Sequence, residues 1–323
     1  MYAFVPASHS VVRIAWRPAA GGADRSADVA RAPLAVRPVS WALCAPPNAP
    51  PLSSSSTAAA ASQPPPAAAV GYIRVPTFNS ATPRAIQAAL SSLVCGGTPP
   101  QASSAQAAAA GESPPGSGLA GVVLDLRANG GGSFPAAMSA AGLFLPPGAT
   151  VVSVADATGI RDVFKAKPLP VPAAAAAAGD ASTSTAAAAA VVAAPSALPR
   201  STRVTLLVDG GTASAAEVLA AALRDNGRAL LLGPSKTFGK GIIQTTVGLS
   251  DGSAVNVTVA RYVTPSGRDI NKVGIAPDGG VPAWVGPTPP AEAKGFCESL
   301  SAAGGGAAAQ LFPPPSPPVG GAP

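Results

Sequence analysis

The chain has 323 residues, of which only 11% are charged, a net charge of +6 and a single histidine. That charge is modest and the basic residues do not cluster with aromatics, which argues against nucleic-acid binding; no strongly apolar run reaches the length that spans a bilayer. The 38 prolines, 35 glycines and long alanine tracts imply a compact core with padding. Three cysteines, Cys44, Cys95 and Cys297, cannot all pair within the chain, so no disulfide framework is implied.

In chain order, Ser10–Trp16 alternates as a strand, and Val29–Pro33 reads as a second short one. Met1–Gly22 also carries Arg13 and Arg17 with no acidic residue, as a transit peptide does; the regular Val/Ile alternation favours a strand. Pro46–Ala68, Gly96–Gly118 and Ala166–Pro199 are low-complexity segments, the last expected as a mobile surface loop. Strand–helix units begin at Gly71–Val75. A strand over Val122–Leu126 runs into Asn129-Gly130-Gly131-Gly132, a tight strand-to-helix turn that does not match the spacing of phosphate-binding loops. Val204–Val208 is a buried strand broken by Asp209-Gly210-Gly211-Thr212. From about Ser214 the pattern is helical, with Val218, Leu219, Ala222 and Leu223 on one face and Asn226-Gly227 as the stop. A strand at Ala229–Leu232, a glycine-rich loop carrying Lys240 and an alternating antiparallel strand at Ala254–Val263 follow.

The chemistry concentrates between Val208 and Gln244. His9, the only histidine, lies near the N-terminus, so a Ser-His-Asp triad is excluded there, and a serine nucleophile needs lysine as its base. Ser214 sits where a helix begins, and unpaired N–H groups at a helix start favour a developing oxyanion. A lysine is protonated at neutral pH, with a pKa of about 10.4 in water. An apolar pocket disfavours the ammonium, and Phe238, Ile242 and Ile243 are expected to supply one. The plainer alternative makes Ser214 a helix cap and Lys240 a solvated loop residue.

Three long phrases carry a resemblance: GVVLDLRANGGGSFPAAMSAAGLFLPPG, GTASAAEVLAAALRDNGRA and TFGKGIIQTTVGLSDGSAVNVTVARYVTPSGRDINKVGIAPD. They resemble the C-terminal processing (tail-specific) proteases, serine peptidases with a Ser-Lys pair. The plant and algal branch is the nearest match, through ADATGIRDVF, DINKVG and KGFCESL. The resemblance covers roughly residues 69–93, 118–165 and 201–312. It implies an α/β core of the ClpP/crotonase-like type over residues 69–312 and a disordered tail at 313–323.

Residue by residue, the resemblance implies Ser214 as nucleophile and Lys240 as base, 26 positions apart (240 − 214), one more than is usual in the family. The loop Gly233-Pro234-Ser235-Lys236 absorbs that extra residue. Ala216 stands where the family often has a second serine. Gln244 matches a glutamine that orients the lysine, and Asp225 matches an acidic residue that some members need; Asp225 reads equally well as a polar helix end. Ala215 and Gly131 are the expected oxyanion donors, Gly131 over Gly130 because many members have proline, which lacks an N–H, at the position of Gly130. No cofactor or metal is implied.

The family normally carries a PDZ domain, and residues 1–45 resemble only its last strands, joined by a linker at 46–68. The sequence is therefore read as a fragment, or as a chain that has lost that domain. The implied partner is a protein substrate with an apolar C-terminal tail, a photosystem II reaction-centre precursor among the candidates, with a monomeric enzyme in the thylakoid lumen. Two other classes are a catalytically inert binding protein and a crotonase-like acyl-CoA enzyme.

Overall fold

The computed structural model describes residues 11–18, 21–30, 38–45, 69–94, 119–169, 198–286, 288–304 and 306–313. The linker at 46–68, the segment at 96–118, residues 170–197, Cys95 and the tail beyond Pro313 lie outside the described residues. The chain divides into two units, Met1–Arg37 and Pro38–Pro323.

In the first unit β1 (Val11–Trp16) pairs antiparallel with β2 (Arg25–Ala30). The second strand begins earlier than the expected Val29–Pro33. Arg13 Nε meets Asp28 at 2.7 Å and Arg17 Nε meets Asp24 at 2.6 Å. These pairs are exposed, and such pairs contribute little to stability.

The second unit is built on a five-stranded sheet of order β3-β4-β5-β8-β9. Its strands are β3 (Ser40–Cys44), β4 (Ala69–Arg74), β5 (Leu119–Asp125), β8 (Arg203–Leu207) and β9 (Leu230–Leu232). Strands β4, β5, β8 and β9 run parallel, and β3 is antiparallel on the edge. Ser40–Cys44, read from the sequence as part of the N-terminal remnant, thus lies in this sheet. Successive side chains of a strand point to opposite faces, so both faces must be covered, as parallel sheets require. Ile73, Val122, Leu124 and Leu206 pack on one face with α1 (Thr82–Val94), α2 (Phe134–Ala141) and α3 (Ala215–Asp225). Tyr72, Val123 and Leu207 pack on the other with Phe296 and Leu300 of α4 (Ala293–Ala302) and Leu311 of α5 (Ala307–Leu311).

A second, four-stranded antiparallel sheet has the order β10-β11-β6-β7, made of β6 (Thr150–Asp156), β7 (Gly159–Lys165), β10 (Ile242–Gly248) and β11 (Ala254–Val263). The fold is the α/β ClpP/crotonase-like core that the sequence implies. Ala166, Leu169 and Leu198, read as part of an insertion, are buried core residues. The cysteines correct a sequence expectation: Cys44 on β3 and Cys297 on α4 form a disulfide across 253 positions. No helix among the described residues is long and apolar enough to cross a membrane.

Candidate active site

Parallel pairing of β5 with β8 sets their C-terminal ends side by side, the place where open α/β sheets bind ligands. The loops leaving them are cross-linked. Asp209 Oδ1 accepts from the N–H groups of Ala128 and Gly211, both at 2.9 Å. The Thr212 hydroxyl donates to Leu126 O at 2.9 Å, and Ala213 N–H to Asn129 O at 2.9 Å.

Ser214 caps α3 with φ 57° and ψ −121°. A non-glycine residue there costs on the order of 1–3 kcal/mol, and the surrounding bonds over-determine it. Such a sharp strand-to-helix turn holds a serine out from the backbone. Ala215 follows as the first helical residue, its N–H without a protein partner among the described residues.

The residue that sequence reasoning missed is Glu217, fully buried one helical turn on. Its Oε2 accepts from Ser214 N–H at 2.9 Å and from Lys240 N–H at 2.8 Å. Its Oε1 accepts from Gly239 N–H at 2.7 Å and from the Thr237 hydroxyl at 2.5 Å. One carboxylate thereby ties the serine turn to the lysine loop. The Ser-x-x-Glu spacing is a capping-box signature and was the available signal.

The lysine's surroundings differ from expectation. Lys240 is exposed, Phe238 is 65% exposed, and no apolar pocket encloses the amine. The reason is local: Gly239 and Gly241 lie tight against residues 270–274, so the chain between them turns its side chains outward. No hydrogen bond joins the Ser214 hydroxyl to the Lys240 amine among the described residues. Gln244 lies exposed on β10 after a bulge, and its Nε2 donates to the Thr258 hydroxyl at 3.3 Å, with no bond to Lys240. Asp225 Oδ2 accepts from Ser266 N–H at 3.1 Å and from its hydroxyl at 2.6 Å, which ties the end of α3 to a neighbouring loop.

Gly131 lies against the serine: a Cβ there would stand 2.8 Å from that of Ser214. Its φ of 103° suits only glycine. Its N–H donates to Asn129 Oδ1 at 2.8 Å, so the donor expected for the oxyanion is engaged here.

Beneath this loop, Asp125 and Arg127 form a buried pair, with Arg127 Nη2 2.7 Å from Asp125 Oδ2. Burial opposes the Arg127 charge, but the Asp125 carboxylate more than offsets it and the guanidinium stays raised above its ordinary value. The Tyr72 hydroxyl donates to Asp125 Oδ2 at 2.8 Å. No cluster of metal-ligating side chains is found among the described residues.

The model of peptidase family S41 matches residues 69–281. A C-terminal processing peptidase, chloroplastic, of Tetradesmus obliquus is 39% identical over 233 residues, covering 72% of this chain and 39% of the relative. The carboxyl-terminal-processing peptidase 2, chloroplastic, of Arabidopsis thaliana is 35% identical over 231 residues, covering 72% of this chain and 35% of the relative. The solved photosystem II D1 C-terminal processing protease matches with a TM-score of 0.58 at 36% identity, over 94% of this chain and 62% of that one. The chain thus spans well under half the length of these two curated relatives.

Proposed function

This chain belongs to peptidase family S41, and we propose that it is a serine endopeptidase that cuts protein substrates near their C-terminus. The observation that carries the reading is the Glu217 carboxylate, which binds the backbone of both Ser214 and Lys240. In this mechanism the Lys240 amine takes the Ser214 proton as the hydroxyl attacks the scissile carbonyl, and returns it to the leaving amine. Ala215 N–H donates to the oxyanion. Gly131 N–H joins it after leaving Asn129 Oδ1, a rearrangement that substrate binding drives. Because Lys240 is exposed, the substrate itself must cover it and exclude the water that favours the ammonium. Gln244 is assigned to orient the amine in that covered state; Asp225 serves as an anchor for α3.

The names of the relatives support a chloroplast location and the C-terminus of the photosystem II D1 protein as substrate; the thylakoid lumen as the compartment is part of our proposal. Residues 1–37 are assigned as the end of a PDZ domain. A second reading, an inert binding protein on the same core, is favoured by the exposed Lys240 and the engaged Gly131 N–H. A peptide ending in apolar residues, together with a fluorophosphonate that labels reactive serines, separates the two. Cleavage and labelling that vanish in Ser214→Ala, with an unchanged circular dichroism spectrum, support the peptidase. An unlabelled, inactive wild type overturns it.

A further inference from the structure

The face of the sheet opposite α3 reaches the active-site loop through a continuous set of contacts. Cys297 on α4 is half-buried and bonded to Cys44, which is 1% exposed. Its neighbour Phe296 stacks on Tyr72, with ring centroids 4.1 Å apart and planes at 12°. Tyr72 donates to Asp125 Oδ2, and Asp125 Oδ1 accepts both the backbone N–H and the Nε of Arg127 at 3.0 Å. Arg127 Nη1 donates to Gly286 O, in the segment leading to α4. Arg127 leads directly into Ala128, held at φ 55°, and the glycine loop beside Ser214. The polar contacts of Ser299 and of the Lys294–Glu298 pair stay inside α4. Its hold on the sheet is the packing of Ala293, Phe296 and Leu300 together with the disulfide.

We propose that the Cys44–Cys297 disulfide is a redox-sensitive strut: it presses Phe296 and Tyr72 onto the Asp125–Arg127 pair and so fixes the Gly130–Gly132 loop for catalysis. Tyr72 and Phe296 are positioning residues, acting through Asp125 and Arg127. The proposal rests on the peptidase reading above. A dithiol reductant opens the switch. One thiolate attacks the sulfur of Cys297, the less buried of the two cysteines, the S–S bond breaks and Cys44 leaves as a thiolate that takes up a proton. The second thiol then displaces Cys297, giving two cysteine thiols and an oxidised reductant.

The full chain is titrated with dithiothreitol and followed by peptide cleavage and by hydrogen exchange at residues 127–132. Expected on reduction are a fall in kcat of about tenfold with KM within about twofold, and faster exchange at 127–132 while α3 keeps its protection. Cys44→Ala with Cys297→Ala is expected to sit in the low-kcat state and ignore the reductant, whereas Cys95→Ser responds as wild type. Tyr72→Phe, which keeps the disulfide, is expected to lower kcat without raising KM. Unchanged exchange at 127–132 on reduction overturns the strut, and so does a kcat equal in both redox states. Absence of Ser214-dependent cleavage in either state overturns the peptidase reading instead, and the exchange data alone then decide for or against the strut.

Discussion

Glu217 holds four donors with two oxygens, and this explains why a charged side chain is tolerated in full burial: every lone pair has a partner. Replacing it with glutamine keeps the shape but turns an N–H toward donors. Glu217→Gln is therefore expected to cost about 1–3 kcal/mol in urea denaturation and to depress kcat, since the serine turn and the lysine loop lose their common tie. Lys240 makes a cleaner test of chemistry because it is exposed. Lys240→Arg keeps the charge, but a guanidinium does not give up its proton in proteins. It is expected to be inactive with an unchanged urea midpoint; full activity in this variant removes the Ser-Lys mechanism.

Among the elements, the packing of β4 against α4 makes stability depend on alkaline pH. Burial first, and then the Asp125 carboxylate, raise the Tyr72 phenol well above its ordinary value; burial raises Tyr262 as well. The folded protein thus keeps protons that the unfolded chain gives up above about pH 10. Stability from these groups is complete below that pH and is lost as pH rises further. Urea midpoints are expected to fall from about pH 10 upward, and to fall less in Tyr72→Phe. Elements legible in the sequence were those set by local signals. The Asn226-Gly227 stop lies at the end of α3, and the alternation over Ala254–Val263 gives β11 its observed bounds. The two turns that carry Ser214 and Gly131 were legible from the strands and glycines around them, while their side-by-side placement was what the family resemblance implied. What local pattern does not carry is tertiary: β3 joining β4 across a long insertion, the sideways reach of Glu217 to Lys240 N–H, and the burial of Asp125 and Arg127. The expected apolar pocket around Lys240 failed for the same reason, since residues 270–274 decide the exposure of Lys240 and Phe238 and favour the solvated-lysine alternative.

At the scale of the whole second unit, the Cys44–Cys297 bond joins the first strand of the sheet to a helix 253 positions later. A cross-link over so long a loop restricts the unfolded chain and contributes about 2–5 kcal/mol. Cys44→Ala with Cys297→Ala is expected to lower the urea midpoint accordingly, measured against the oxidised wild type. The same separation bears on how the protein is made. Synthesis runs from N-terminus to C-terminus, so β3, β4, β5, β8 and β9 all leave the ribosome before α4. Until then Tyr72, Val123 and Leu207 lack the cover of α4 and α5, and exposed apolar sheet surface in a partly made chain invites aggregation. Cell-free synthesis stopped before Ala293 is thus expected to give sedimenting aggregates, while chains carried past Phe312 stay in the supernatant. The late-translated α4 segment acts as a quality mark, and the covalent bond records that translation reached it.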